Sequence, residues 1–391
     1  MSLLTILLVL AVVWLAYANG ANDNFKGVAT LFGSGTTSFK TAIWWAGATT
    51  FAGSICAFIL GAALIRTFSG KGLVDTTVLS DPKFLFSVAM AAAATVYLAT
   101  QIGFPISTTH AILGALVGAG LIAPGGVEFL LLGSRFVLPL LSAPLLAIVL
   151  TLVLYKLFRY VRLKAGIERE TCICVGQTEH VVALESPNFL VSQTTGGALQ
   201  LTDSKGQIRT VPGLEVKIGE TPCCRQRYSG SVIGISAETI VNALHFITAG
   251  TVGFARGLQD TAKIVGLLVG AALMNVANEN TLLMGVALVA IFMALGGILN
   301  ARRVAETLSH KITDMNAGQG FTANLVTSFL VIGSSLYGWG VSTTHCSVGA
   351  LFGIGIANGT GHWPMIRQIV LAWLVTLPCA ALFAVLIYAI V

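Results

Sequence analysis

The chain has 391 residues, 55% of them hydrophobic, with a mean hydropathy of +0.86. Only 10% are charged, against about a quarter in an ordinary soluble domain, which excludes a water-soluble globular protein and requires a lipid bilayer as partner. The net charge of +6 is no signal of nucleic acid, because the basic residues gather beside apolar stretches as loops flanking membrane helices do.

In chain order, six apolar stretches of the first half are answered by six in the second. They cover roughly residues 3–18, 25–35, 41–65, 84–103, 105–123 and 129–158, then roughly 238–255, 262–276, 281–300, 320–338, 341–358 and 366–390. The first stretch, Met1 to Tyr17, lacks the basic start of a cleaved signal and reads as a retained membrane segment. Arg135 and Pro144 near the end of the first half match Arg367 and Pro378. Gly and Pro interrupt several stretches, which a bilayer tolerates where the backbone is buried in protein or lines a wet cavity. Residues 166–230 differ: they hold about a third of the charged side chains, and short alternating runs such as Val181–Leu184 and Gln207–Val211 alternate with turn residues. The expected division is a first membrane repeat over 1–165, a small β-rich cytoplasmic insert over 166–230 and a second membrane repeat over 231–391.

Basic residues give the orientation. Lys156, Arg159, Arg162 and Lys164 place the end of the first half in the cytoplasm, whereas the matching Ile387–Val391 carries no charge. Arg302, Arg303 and Lys311 mark a second basic loop, while its counterpart, with Arg66, Lys71 and Lys83, is offset by Asp75 and Asp81. This opposite bias predicts an inverted repeat in a cell (inner or plasma) membrane with both termini outside. One segment of each half then has to re-enter or pair with a neighbour. The fold class expected is an all-α polytopic membrane protein with broken or re-entrant helices.

Two motifs occur twice. Asn22-Asp23-Asn24-Phe25-Lys26 is answered 237 residues later by Gln259-Asp260-Thr261-Ala262-Lys263. Gly20 and Gly257 before them predict a broken helix, with Asn or Asp capping the helix that follows and its N-terminus open to an anion. Asp and Lys three residues apart share a helix face and can pair. One such pair reads equally well as a structural lock. Two at matched positions point to a single central site shared by related halves, the plan of a secondary transporter. The second motif, Ser107-Thr108-Thr109-His110, recurs 235 residues later as Ser342-Thr343-Thr344-His345. Its hydroxyls can cap a helix or donate to anion oxygens. His110 and His345 read first as structural hydrogen-bonding residues and second as a proton relay; neither has companions at zinc-ligand spacing.

Gly20-Ala21-Asn22-Asp23 resembles the signature of the PiT family of inorganic phosphate transporters, and a Pro/Gly-x-Ser-Thr-Thr-His run in both halves is a hallmark of that family. The resemblance covers nearly the whole chain outside 166–230. It implies an inverted-repeat symporter driven by sodium or protons, and a homodimer. Gln259 stands where the family usually has Asn, and Lys26 and Lys263 stand where it commonly has an uncharged Asn. On this basis the substrate ligands expected are Asn22, Lys26, Ser107, Thr108, Thr109, Gln259, Lys263, Ser342, Thr343 and Thr344. Asp23 and Asp260 are expected to hold the coupling cation. Inorganic phosphate is the expected substrate, because its O–H groups need acceptors that Asp can supply; sulfate is the alternative, since the lysines welcome either anion. An anion channel is a further alternative, and an enzyme is not expected because duplication disfavours a single catalytic cluster. No cofactor is expected. The insert holds Cys172, Cys174, Cys223 and Cys224, whose spacing fits reduced thiols in a small sheet better than a zinc site.

Overall fold

The computed structural model describes residues 3–168, 171–181, 190–193, 199–202, 210–220, 233–270 and 279–391. They form two compact units, one of Met1–Phe158 with Leu244–Val391 and one of Arg159–Ala243.

Among the described residues, ten long helices organise the first unit. In the first half they are α1 (Leu3–Asp23), α2 (Phe39–Leu60), α3 (Pro82–Ile102), α4 (Thr108–Ile122) and α5 (Leu138–Lys164). In the second they are α6 (Ala237–Gly270), α7 (Glu279–Asn300), α8 (Ala317–Leu336), α9 (Thr343–Asn358) and α10 (Trp363–Ile390). Among the described residues, six helical stretches are long and apolar enough to cross a membrane: Leu3–Gly27, Phe39–Leu60, Pro82–Ile102, Phe129–Lys164, Glu279–Asn300 and Trp363–Ile390. The chain is thus a mostly helical, multi-pass membrane protein. The 15-residue α4 and the 16-residue α9 rise only about 23 Å, short of a ~30 Å hydrocarbon layer. Both are buried over most of their length, and each follows a loop opened by a left-handed glycine, Gly103 at φ 80° and Gly338 at φ 67°.

The expected helix break is present in one half and absent from the other. After Asp23 the chain tightens into a 3₁₀ turn, Asn24–Gly27, followed by the short helix Ala29–Gly33. In the second half, α6 runs uninterrupted for 34 residues through Phe254–Asp260 and on to Gly270. The stretches expected over 238–255 and 262–276 are therefore one helix as far as Gly270. Asp23 makes no side-chain capping bond at the turn it precedes, and Asp260 lies mid-helix.

The glycines taken for hinges are contact points. A Cβ on Gly20 would lie 1.9 Å from the Met293 carbonyl oxygen, and one on Gly257 would lie 2.1 Å from that of Thr50. A helical glycine costs about 1 kcal/mol in propensity, and close backbone approach offsets it. The same device joins the halves throughout. Gly20 of α1 meets α7, and Gly257 of α6 meets α2; Gly114 and Gly118 of α4 meet α10, while Gly349 and Gly353 of α9 meet α5. In all four cases the partner lies in the opposite half.

The described residues of the second unit include five strands: β1 (Thr171–Val181), β2 (Leu190–Gln193), β3 (Leu199–Thr202), β4 (Thr210–Glu220) and β5 (Ile233–Ser236). β1 is central in an antiparallel three-stranded sheet, pairing Thr171 with Glu220 on one side and Cys172 with Ser236 on the other. β2 and β3 form a separate antiparallel pair. Cys172 is a buried free thiol and Cys174 lies in β1, while Cys223 and Cys224 fall outside the described residues. Among the described residues, no group of three or more His, Cys, Asp or Glu side chains is placed to hold a metal.

Two glycines of α2 test the packing argument. Gly53→Ala would drive a Cβ to 1.9 Å from the Phe254 carbonyl oxygen and is expected to destabilise by about 1–3 kcal/mol. Gly47→Ala, whose nearest neighbour would be Ile298 at 3.8 Å, is expected to be neutral or to gain up to about 1 kcal/mol. Thermal unfolding of the purified variants in detergent reads the difference.

Candidate functional site: a buried charge cluster

The two duplicated motifs meet in the interior. Asp23, Lys26, Asp260, Lys263 and Arg256 are each no more than 3% exposed. Charges so deep in an apolar chain need partners. Lys26 Nζ pairs with Asp23 Oδ1, and Lys263 Nζ pairs with Asp260 Oδ1 at 3.2 Å. Both pairs are local, one helical turn apart in sequence, as the three-residue spacing predicts.

Each ammonium is completed by the loop and short helix that follow α3 or α8. Lys26 donates to the Ile106 carbonyl (3.0 Å) and to the Thr344 hydroxyl. Lys263 donates to the Val341 carbonyl (3.0 Å), the Thr109 hydroxyl (2.9 Å) and Gln259 Oε1 (2.9 Å), and it faces the Phe68 ring at 5.7 Å. The carbonyl in each case precedes the N-cap serine of the lysine's own half. The hydroxyl comes from the opposite half. Asn19 Nδ2 then bridges the carboxylates, at 3.2 Å from Asp23 Oδ2 and 3.3 Å from Asp260 Oδ2, with Thr108 Oγ1 at 2.9 Å. Thr108 also donates to Asp23 at 3.3 Å.

The remaining residues singled out by sequence divide by role. Ser107 and Ser342 cap α4 and α9, each accepting the backbone N–H of the histidine three residues on at 3.2 Å. Asn22 secures the loop before α4: it donates to Thr100 Oγ1 and the Phe104 carbonyl, both at 3.0 Å, and accepts from Ile106 N at 3.1 Å. Gln259 donates to Ser334 and Ser335, both at 3.3 Å. Thr109 and Thr344 hold the lysines, while the neighbouring Thr343 is 4% exposed and makes no side-chain hydrogen bond among the described residues. His110 and His345 come together from the two halves, ring centroids 4.7 Å apart, and Trp373 covers His345 at 4.1 Å. Nδ1 of His345 is bonded to the Leu140 carbonyl at 3.0 Å, a structural use.

Two residues of the cluster were not singled out from the motifs: Asn19 and Arg256. They occupy the same place in the repeat, 237 residues apart, and lie four residues before Asp23 and Asp260. Their identities differ, so a search for matched residues passes over them. The helical spacing i, i+4, i+7 was the signal that could have found them. A cavity of about 810 Å³ is lined by Arg135, Trp339, Ser334, Val341 and Cys346 among others, and two of these, Ser334 and Val341, also accept from Gln259 and Lys263.

Paired helix motifs from two halves, converging on one buried polar centre in a multi-pass bundle, define a membrane transporter. The Phosphate transporter family matches residues 19–384, and the chain belongs to that family. It is a transporter family and not an enzyme family. Similar proteins include two named "Putative phosphate permease". The one from Pyrococcus abyssi is 31% identical over 406 residues (99% of this chain, 96% of that protein). The one from Pyrococcus horikoshii is 30% identical over 394 residues (96% and 94%). The Inorganic phosphate transporter 2-1, chloroplastic, of Arabidopsis thaliana is 27% identical over 414 residues (95% and 70%). A solved sodium-dependent phosphate transporter shares the fold, with a TM-score of 0.71 and 21% identity over 100% of this chain and 99% of that one.

The pairing argument has a direct test. Lys26→Met leaves the Asp23 carboxylate buried without its cation and is expected to destabilise by about 3 kcal/mol or more. Adding Asp23→Asn to that variant should recover most of the loss. Melting temperatures of the single and double variants measure the coupling, and equal losses in both would show that the pair is not what holds the site.

Proposed function

We propose that the protein is a cation-coupled symporter that carries inorganic phosphate across the membrane by alternating access. Membership of the family supports the substrate. The observation that carries the site is the duplicated ammonium cage, in which each lysine is held by a carboxylate and a carbonyl of its own half and a hydroxyl of the other. Such links between halves are the bonds that a change of access must exchange. Phosphate oxygens compete with Thr109 and Thr344 for the ammonium protons, so Lys26 and Lys263 are substrate ligands in this reading. Thr108 and Thr343 supply further hydroxyls.

Asp23 and Asp260 take the coupling cation. A site made of carboxylate, carbonyl and hydroxyl oxygens would suit an alkali ion, but here a tethered ammonium fills it. The coupling ion in this reading is therefore the proton. Protonation of an Asp releases its lysine to the anion, and proton loss on the far side restores the pair. An inverted repeat (1–165 and 231–391), an insert at 166–230 on the cytoplasmic side, both termini outside and a homodimer complete the proposal. The exchange of helix partners between halves supports the repeat.

Radiolabelled phosphate uptake into proteoliposomes, with sodium and pH gradients varied separately, tests this reading. Uptake driven by an inward proton gradient and indifferent to sodium is expected. Uptake that requires a sodium gradient would overturn the proton assignment, and absence of saturable uptake would overturn the carrier itself.

A further inference from the structure

Arg256 is the largest fully buried side chain among the described residues, at 1% exposure. Its Nε, Nη1 and Nη2 have no hydrogen-bond partner there. A guanidinium offers five donors, and buried charges left without acceptors are rare unless a ligand provides them. It shares one face of α6 with Asp260 and Lys263, at i, i+4 and i+7, so it points toward the cluster. Both Asp23 and Asp260 act on it electrostatically, yet among the described residues neither is within ion-pair distance.

Its counterpart in the other half has the complementary deficit. Asn19 turns its amide nitrogen to two carboxylates, which only accept, and this fixes the amide orientation. Asn19 Oδ1 is then a buried acceptor without a donor. One centre thus holds an unused cationic fork from one half and an unused acceptor from the other. The complement of that set is an anion that both accepts and donates. Dihydrogen phosphate has P–O oxygens for the fork and a P–O–H for the acceptor, whereas sulfate has no O–H. Charge agrees. Three buried cations face two carboxylates, so the centre carries an excess of positive charge that an anion offsets.

We propose that Arg256 and Asn19 are direct ligands of the transported anion and select one that carries an O–H, with Arg256 gripping the P–O oxygens and Asn19 Oδ1 accepting the P–O–H. This deepens the phosphate-transport reading and rests on it. The two matched positions contribute different groups because the ligand has two kinds of oxygen.

Uptake of labelled phosphate by full-length protein in proteoliposomes tests it. Arg256→Gln is expected to raise KM about tenfold or more while keeping the size-exclusion profile and melting temperature. A KM within twofold of wild type would sink the proposal. Arg256→Lys keeps the charge and loses the fork, so it covers the case in which the Gln variant does not fold. It should still raise KM at least threefold, and an unchanged KM counts against the assignment. Sulfate and monofluorophosphate, which present no O–H at neutral pH, should compete at least about a hundredfold more weakly than unlabelled phosphate in the wild type. Equal competition would remove Asn19 from the site. A wild type that takes up no phosphate overturns the transport reading instead. The ligand pair then stands or falls on whether phosphate raises the melting temperature of the solubilised wild type and not that of Arg256→Gln.

Discussion

Five ionisable side chains, Asp23, Lys26, Arg256, Asp260 and Lys263, are buried in the centre of a bundle whose outside faces lipid. None could remain charged there alone, because desolvating an isolated ion costs several kcal/mol even after relaxation. The arrangement around them follows from that constraint. Each Asp needs its Lys one turn away, each Lys needs further oxygens, and the only backbone oxygens free in a membrane interior lie where helices end. The loops at Phe104–Ile106 and Trp339–Val341 supply them, between the ends of α3 and α8 and the short helices α4 and α9. Ser107 and Ser342 then close the opened helix starts, so that Thr109 and Thr344 are presented two residues further on, within the first turn.

The same constraint ties the halves together. A lysine that takes its carbonyl from one half and its hydroxyl from the other makes each half incomplete without its partner. The glycine contacts extend this beyond the site: α1 needs α7, α6 needs α2, α4 needs α10 and α9 needs α5. Backbone contact at these positions excludes even a methyl group, so the helices meet along fixed lines and the charged residues are held in register. Both the polar ties and the apolar packing therefore run across the boundary between halves, along a seam that is close-packed at its glycines.

Much of this was legible in the sequence, and the failures have physical causes. The positions of Asp23, Lys26, Asp260 and Lys263 followed from duplication, and the pairing of each Asp with its Lys followed from helical spacing. The helix starts at Thr108 and Thr343 followed from Ser beside Gly and Pro. What sequence could not separate was the two uses of glycine. Gly20 and Gly257 read as hinges, since freedom of the backbone and absence of a side chain are the same chemical fact; only the neighbouring carbonyls of Met293 and Thr50 show that absence of a side chain was what mattered. Asn22, expected as a ligand, bonds Thr100, Phe104 and Ile106, and such partners of a buried amide leave no local pattern in the sequence. Cross-half partners such as Thr344 for Lys26, 318 residues apart, lie beyond any local pattern.

Departure from symmetry carries information that symmetry does not. With Asn at both 19 and 256, two lysines would balance two carboxylates and leave the centre neutral. With Arg at both, the excess would be two positive charges. One Arg opposite one Asn sets the excess at one and makes the two sides of the centre chemically distinct, a cationic donor against a neutral acceptor. A site with identical halves would meet a tetrahedral anion with like groups on each side and could not tell a bare oxygen from one that carries a proton. The matched motifs build the centre and hold the lysines in place; the unmatched pair at its edge gives it a net charge and a direction. Selectivity in this chain is therefore to be sought first at the two positions where the repeat disagrees with itself.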